Sequence, residues 1–308
     1  MAGNDSNEPN NLKSKRDRRK RVARIKTAIL STIAIWMAIS IIVITLLCIK
    51  VVSLQKQIDF LTGDYDYSEN VEAGVNGADA GLKLVNQTDE DIDNLAGTED
   101  VLKVYLTFDD GPSENTNEIL DILDDYGVKA TFFVVGKPEE EYKGLYQRIV
   151  NEGHTIGMHS YSHKYSEIYS SLDAFKNDFE QIQNLIYDTT GVESVYYRFP
   201  GGSSNKVSNI DMSQYIQYVN DQGVKYFDWN VSSGDATSLA YTPDDLVENV
   251  MNDVVKYKTS VVLMHDTEAK DATVQALPKL IEELQKAGAL ILPIDGETTV
   301  IQHVTISK

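Results

Sequence analysis

Five short stretches of this chain carry residue types that do chemistry. Thr107-Phe108-Asp109-Asp110-Gly111-Pro112 sets two carboxylates side by side. Adjacent carboxylates repel one another unless a cation or an arginine is near. Taken alone, the stretch is an ordinary Asp-Gly turn. Phosphotransferases of the Asp-x-Asp type need alternating rather than adjacent acids. His159-Ser-Tyr-Ser-His163 places two of the five histidines four residues apart. At that spacing they share one helical face and can grip one metal ion. A carboxylate from Asp109 or Asp110 would complete a His₂-carboxylate set with open positions for water, the signature of a catalytic rather than a structural metal site. The single cysteine, Cys48, lies far upstream, so a closed thiolate site is excluded. Arg198-Phe-Pro-Gly-Gly202, Ser232-Ser-Gly-Asp235 (shortly after Asp228-Trp229) and Val261-Val-Leu-Met-His265-Asp266 complete the series. Each has a bland reading as a surface arginine, a turn aspartate or a C-capping histidine. Five of them at successive strand exits do not.

The elements that must position them are short β-rich runs. They span residues 101–108, 129–135, 154–158, 195–199, 224–230, 260–264 and 289–294. Between them lie helical patterns at 117–126 (closed by Gly127), 175–188 (closed by Gly191), 244–257 (opened by Thr242-Pro243) and 278–288. Strands alternating with helices predict a parallel α/β sheet, and runs apolar on both faces fit strands covered by helices. A closed or nearly closed barrel is favoured over an open doubly wound sheet. No GxGxxG follows the first strand, which removes the usual dinucleotide reading. In such folds reactive groups gather beyond the C-terminal ends of strands, where these residues fall.

The N-terminal third reads differently. Residues 28–49 are 22 residues without a charge, roughly 33 Å as a helix and enough to cross a bilayer core. The first 27 residues carry nine Lys/Arg against three Asp/Glu, a net of +6. With −19 for the whole chain, everything after residue 27 carries −25. The positive-inside rule then predicts a basic cytoplasmic tail (1–27), an uncleaved transmembrane anchor (28–49) and an exported remainder. No A-x-A-like cleavage site follows the apolar run. Residues 50–100, rich in Asp, Glu, Asn and Gly, read as an acidic extracellular tether. A domain so acidic is repelled by phosphates, so nucleic acid is excluded as a partner.

From Val101 to Ile294 the pattern resembles the polysaccharide deacetylase family with the NodB homology domain, carbohydrate esterase family 4, and in particular its membrane-anchored peptidoglycan N-acetylglucosamine deacetylases. TFDDG (107–111) and HSYSH (159–163) look like its first two motifs. RFPGG (198–202), the segment 232–235 and VVLMH (261–265) resemble the others. The resemblance implies a distorted (β/α)7 barrel over residues 101–308. It implies that Asp110, His159 and His163 hold one divalent metal ion, usually Zn²⁺, with Co²⁺, Mn²⁺ or Ni²⁺ as alternatives. Asp109 would be the general base, His265 the general acid, and Arg198 the group that holds Asp109 and keeps it ionised. The chain departs from the family in two places. Gly201 stands where an aromatic is common, although its N–H can still steady an oxyanion, and Trp229 is the aromatic left to bind substrate. The fourth motif's first Asp is Ser232 and its Trp is Ala236, leaving Asp228 or Asp235 to partner His265.

The expected activity is metal-dependent N-deacetylation of amino sugars in a cell-wall polysaccharide, most directly peptidoglycan. A chitin-like oligosaccharide, an exopolysaccharide or an O-acetylated xylan is the alternative substrate. A non-catalytic, membrane-anchored wall-binding protein is the alternative of another class, but a binding module needs neither a base nor an acid.

Overall fold

The computed structural model describes residues 101–208 and 210–306. The basic tail, the predicted anchor and the acidic tether lie outside the described residues. Among those described, no helix is long and apolar enough to cross a membrane.

Eight parallel strands form one curled sheet: β1 (Lys103–Asp109), β2 (Thr131–Val135), β3 (Thr155–Ser160), β4 (Tyr196–Tyr197), β5 (Lys225–Tyr226), β6 (Val231–Ser232), β7 (Thr259–His265) and β8 (Leu290–Ile291). Their order is β5-β4-β3-β2-β1-β7-β6, with β8 also paired to β1. β7 pairs β1 along its whole length, so β8 and β2 share the other edge. β8 takes Lys103 and Val104, and β2 takes Thr107 to Asp109. Each of the seven predicted runs contains a strand. β6 is an eighth, inside a stretch read from sequence as loop. It is two residues long, too short for any periodicity to show.

Among the described residues, seven helices cover the sheet: α1 (Asn115–Asp125), α2 (Glu140–Asn151), α3 (Tyr165–Ile168), α4 (Leu172–Thr190), α5 (Met212–Asp221), α6 (Pro243–Val254) and α7 (Asp271–Lys286). The caps expected at two of them are present. Gly191 closes α4 in the left-handed region (φ 75°), and Thr242 opens α6 through a capping box with Asp245. Pro278, expected to open the last helix, lies inside α7. The turns before it bury Thr273, Val274, Ala276 and Leu277, and that packing outweighs the proline's lost hydrogen bond.

Val104, Leu106 and Phe108 of β1 join Val262 and Met264 of β7 in the core beneath the helices. Tyr105 and Val261 join a separate interior cluster with Phe133, Phe227 and Ile294. The two-residue period of a strand therefore turns Thr107, Asp109 and His265 into the barrel interior. β5 and β6 do not pair, which leaves a seam. Residues 301–304 lie along it: Asp228 N–H donates to Ile301 O (2.7 Å), His303 N–H to Asp228 Oδ2 (2.7 Å) and Val304 N–H to Ser203 Oγ (3.0 Å). The result is a curled half-barrel, in keeping with the distorted barrel expected.

Candidate active site

Asp109 and His265 are register partners at the ends of β1 and β7, so they stand about one strand spacing apart. Beyond them the chain bends sharply. Asp110 adopts φ 73° and His163 φ 50°, the left-handed region that Asp and His visit more readily than most residues. These bends bring three side chains together. Asp110 Oδ1 lies 3.0 Å from His163 Nε2 and 3.4 Å from His159 Nε2.

The histidine pair is not built on a helix, as its spacing led us to expect. His159 belongs to β3, and His163 follows in a tight loop. Asp178 of α4 holds that loop. Its carboxylate accepts from Ser160 Oγ (2.7 Å), Tyr161 N–H (2.9 Å) and Ser162 N–H (2.8 Å), while His163 N–H donates to Ser160 Oγ (2.9 Å). With its amides bound to a carboxylate from another element, the segment has no need of helical hydrogen bonds. The two histidines still meet Asp110, but the reason for their spacing changes.

Two observations fit the set to a cation. Asp110 Oδ1 is buried without a hydrogen-bond partner, although it faces two imidazole nitrogens. His159 Nδ1 bonds the Arg198 carbonyl (2.7 Å), which places the proton on Nδ1 and leaves the Nε2 lone pair toward Asp110. Burial lowers the His159 pKa to about 3, further than the nearby Asp110 carboxylate can restore it, so the ring is neutral and able to ligate. Among the described residues, Asp110, His159 and His163 are the one such cluster. Asp178→Ala should weaken divalent-metal affinity by about 10–100-fold in a chelator competition, as loss of an orienting outer partner does. Unchanged affinity would show that the loop holds itself.

Arg198 is fully buried at the centre of the site. Its Nη1 donates to Asp109 Oδ1 (2.8 Å) and Thr107 Oγ1 (2.6 Å), its Nε to Phe227 O (3.1 Å) and its Nη2 to Asp228 O (3.1 Å). The guanidinium also lies over the Phe133 ring at 4.3 Å. With Oδ1 taken, Asp109 Oδ2 is the oxygen turned toward His159 Nε2, at 3.9 Å. Arg198 favours the ionised form of Asp109, but burial opposes it. Burial pushes its carboxyl above the usual carboxylate range, and Arg198 and His265 only partly offset this.

The partner of His265 is Asp235. Its Oδ1 meets His265 Nδ1 at 2.8 Å, and its Oδ2 accepts from His265 N–H (2.7 Å) and Thr273 Oγ1 (2.9 Å). Burial, the largest single influence, would drive the His265 pKa down, but the Asp235 carboxylate, joined by Asp110 and Asp109, outweighs it and raises the value to about 9. Asp228 serves elsewhere. Fully buried, it accepts from Ser203 N–H (2.7 Å), Ser203 Oγ and His303 N–H. That anchors the turn after Gly202. Trp229 packs on this side too, edge to face with His303 (4.9 Å between ring centroids) and 5.9 Å from the Arg198 guanidinium. Gly201 has φ 75°, and among the described residues no acceptor meets its N–H.

Sequence reasoning passed over several residues. Asp178 and Thr273 lie on helices and carry no motif. Asp266, next to His265, is buried and accepts from Ser113 Oγ (2.9 Å) and Thr116 Oγ1 (2.6 Å). A Cβ on Gly111 would lie 2.3 Å from its Oδ2, so the Asp-Gly turn needs that glycine for close approach rather than only for bending. A buried carboxylate directly after an apolar strand was the one signal available.

A base, an acid and a cation-ready set thus meet at the open end of a curled parallel sheet, the arrangement of a metal-assisted hydrolytic site. A family model described as polysaccharide deacetylase matches residues 96–226. YheN of Bacillus subtilis is 33% identical over 191 residues, 60% of this chain and 64% of its own length. The chain thus spans less than two thirds of that relative. A peptidoglycan N-acetylglucosamine deacetylase of Bacillus cereus is 31% identical over 202 residues, 63% of this chain and 68% of its own. The catalytic domain of a peptidoglycan N-acetylglucosamine deacetylase from Eubacterium rectale superposes with a TM-score of 0.63 at 40% identity, covering 69% of this chain and all of that one. The chain belongs to the polysaccharide deacetylase family, carbohydrate esterase family 4, built on the NodB homology domain.

Proposed function

We propose that this protein is a membrane-anchored, metal-dependent deacetylase that removes N-acetyl groups from amino sugars of peptidoglycan, with residues 101–308 outside the cytoplasmic membrane. One observation carries the catalytic part. A base fixed by Arg198 and an acid fixed by Asp235 flank the Asp110–His159–His163 set, and wall binding alone would need neither. The named Bacillus cereus and Eubacterium rectale relatives support the choice of polymer.

Asp110, His159 and His163 would hold a divalent ion, which when bound would supply Lewis-acid activation of the amide and of water. The protein's own groups then handle protons. Asp109 accepts one at Oδ2 from the attacking water, while Arg198 keeps Oδ1 occupied. His265, protonated and held at Nδ1 by Asp235, delivers one from Nε2 to the departing amine. The Gly201 N–H is the donor for the charge that develops on the carbonyl oxygen.

Purified full-length protein should bind one Zn²⁺ per chain and release acetate from N-acetylglucosamine oligomers and from peptidoglycan. His163→Ala should lose both the metal and the activity. Metal-loaded protein that releases no acetate from any of these substrates would overturn the reading. The membrane arrangement has its own check. Protease added to intact cells stripped of wall should digest the domain after residue 100, whereas protection until lysis would reverse the topology.

A further inference from the structure

Tyr165, the first residue of α3, stands over the metal-ligand candidates and has no role in the scheme above. Its ring meets the His163 ring edge to face (centroids 5.5 Å apart, 85° between planes) and contacts Tyr169 on its other side (6.0 Å, 61°). The ring is thus fixed by neighbours on both sides, and the residue is only half-buried. Its hydroxyl is hydrogen-bonded to none of the described residues. The nearby phenols are engaged: Tyr169 Oη donates to Pro200 O (2.9 Å) and Tyr215 Oη pairs with Ser208 Oγ (2.9 Å). A partly exposed phenol with a fixed ring and a free hydroxyl is built to meet something that is not protein.

What it faces is Gly201. A Cβ at that position would lie 3.0 Å from Tyr165 Cε1 and 3.3 Å from its Oη. Tyr165 therefore occupies the space a side chain at 201 would need. Its O–H thus lies close to the Gly201 backbone, whose N–H is free of acceptors, and its ring lies against His163.

We propose that Tyr165 is a substrate-contacting residue of the deacetylation site, its ring forming a wall against the sugar face and its O–H donating to the acetylated amino sugar beside the Gly201 N–H. This rests on the deacetylase reading given above. A ring that only packed would need no free hydroxyl at a solvent-facing edge, and Gly201 would not need to be bare.

The test uses metal-loaded full-length protein, with Tyr165→Phe removing the hydroxyl and Tyr165→Leu removing the wall. Three readouts are made: metal content, acetate release from N-acetylglucosamine oligomers, and calorimetric binding of the same oligomers. Metal content should stay at the wild-type level in both variants. Tyr165→Phe should lower kcat about tenfold or more with little change in KM, as loss of a donor used late in the reaction does. Tyr165→Leu should also raise KM and weaken oligomer binding at least several-fold. If wild type turns over and both variants match its kcat and KM within twofold, the assignment of Tyr165 is wrong and the deacetylase reading stands. If wild type binds the oligomers without releasing acetate, and Tyr165→Leu loses that binding, the reading falls and Tyr165 stands as a sugar contact. If wild type neither binds nor deacetylates them, both fall.

Discussion

Asp109→Asn will lower kcat by at least about 10²-fold while the protein keeps its metal, because general-base steps are typically worth that much or more. The substitution preserves the shape that Arg198 grips through Oδ1 and leaves Asp110, His159 and His163 in place. What it removes is the proton acceptor at Oδ2. A group in this position works best with a proton affinity nearer to neutral than an ordinary carboxylate has, and burial moves Asp109 in that direction. Metal analysis beside steady-state kinetics decides the matter. An Asn variant with near-normal turnover would shift the base elsewhere, and one that lost its metal would make Asp109 a ligand.

His265→Ala will cost a comparable factor, and its partner gives the sharper measurement. An acid with a pKa of about 9 is charged through the neutral range, so activity should hold on its account up to about pH 9 and decline above it as the proton is lost. The sign follows from the cause. Asp235 favours the imidazolium, whereas burial favours the neutral ring, so removing the Asp235 charge leaves burial opposed only by the more distant Asp110 and Asp109 carboxylates. In Asp235→Asn the alkaline limb of the kcat/KM profile should therefore move down from about pH 9 toward 6.5, the ordinary value for histidine. A limb that stays near 9 in this variant would remove Asp235 from its role. Rate and pH position are read from one experiment, and simple misfolding would lower the rate without moving the limb.

The parts of this site that came from sequence are those that sit at strand ends in short apolar contexts. TFDDG and VVLMH are strands followed at once by polar residues, and the register of β1 on β7 makes neighbours of Asp109 and His265 across 156 positions. The choice between Asp228 and Asp235 was not legible, because it depends on a two-residue strand, β6, and on the early turns of α7 that deliver Thr273. Pro278 hid those turns by its reputation as a helix opener. The geometry of His163 was hidden for another reason. Spacing of four fits a helix, and nothing nearby in the chain announces that an aspartate 15 residues later will bind the loop's amides. Tertiary carboxylates leave no local pattern, so they are the usual omission from a reading made along the chain.

The strap along the barrel seam bears on the order in which this molecule becomes competent. The turn after Gly202 is tied through Ser203 to Val304, a partner 101 positions later, and Asp228 reaches His303 across 75. A ribosome delivers residues 198–203 long before it delivers 301–304, so the loop with the Gly201 N–H waits for its brace. Closing so long a span is an entropic cost met late, after nearer contacts have formed. The loop carrying His159 and His163 needs no such delay, since Asp178 follows it closely in the chain, whereas the turn after Asp110 waits for Asp266. Maturation is therefore staged: the histidine loop can form from the first half of the domain, the Asp110 turn follows when β7 and Asp266 arrive, and the oxyanion side is completed when the last segment is laid into the seam.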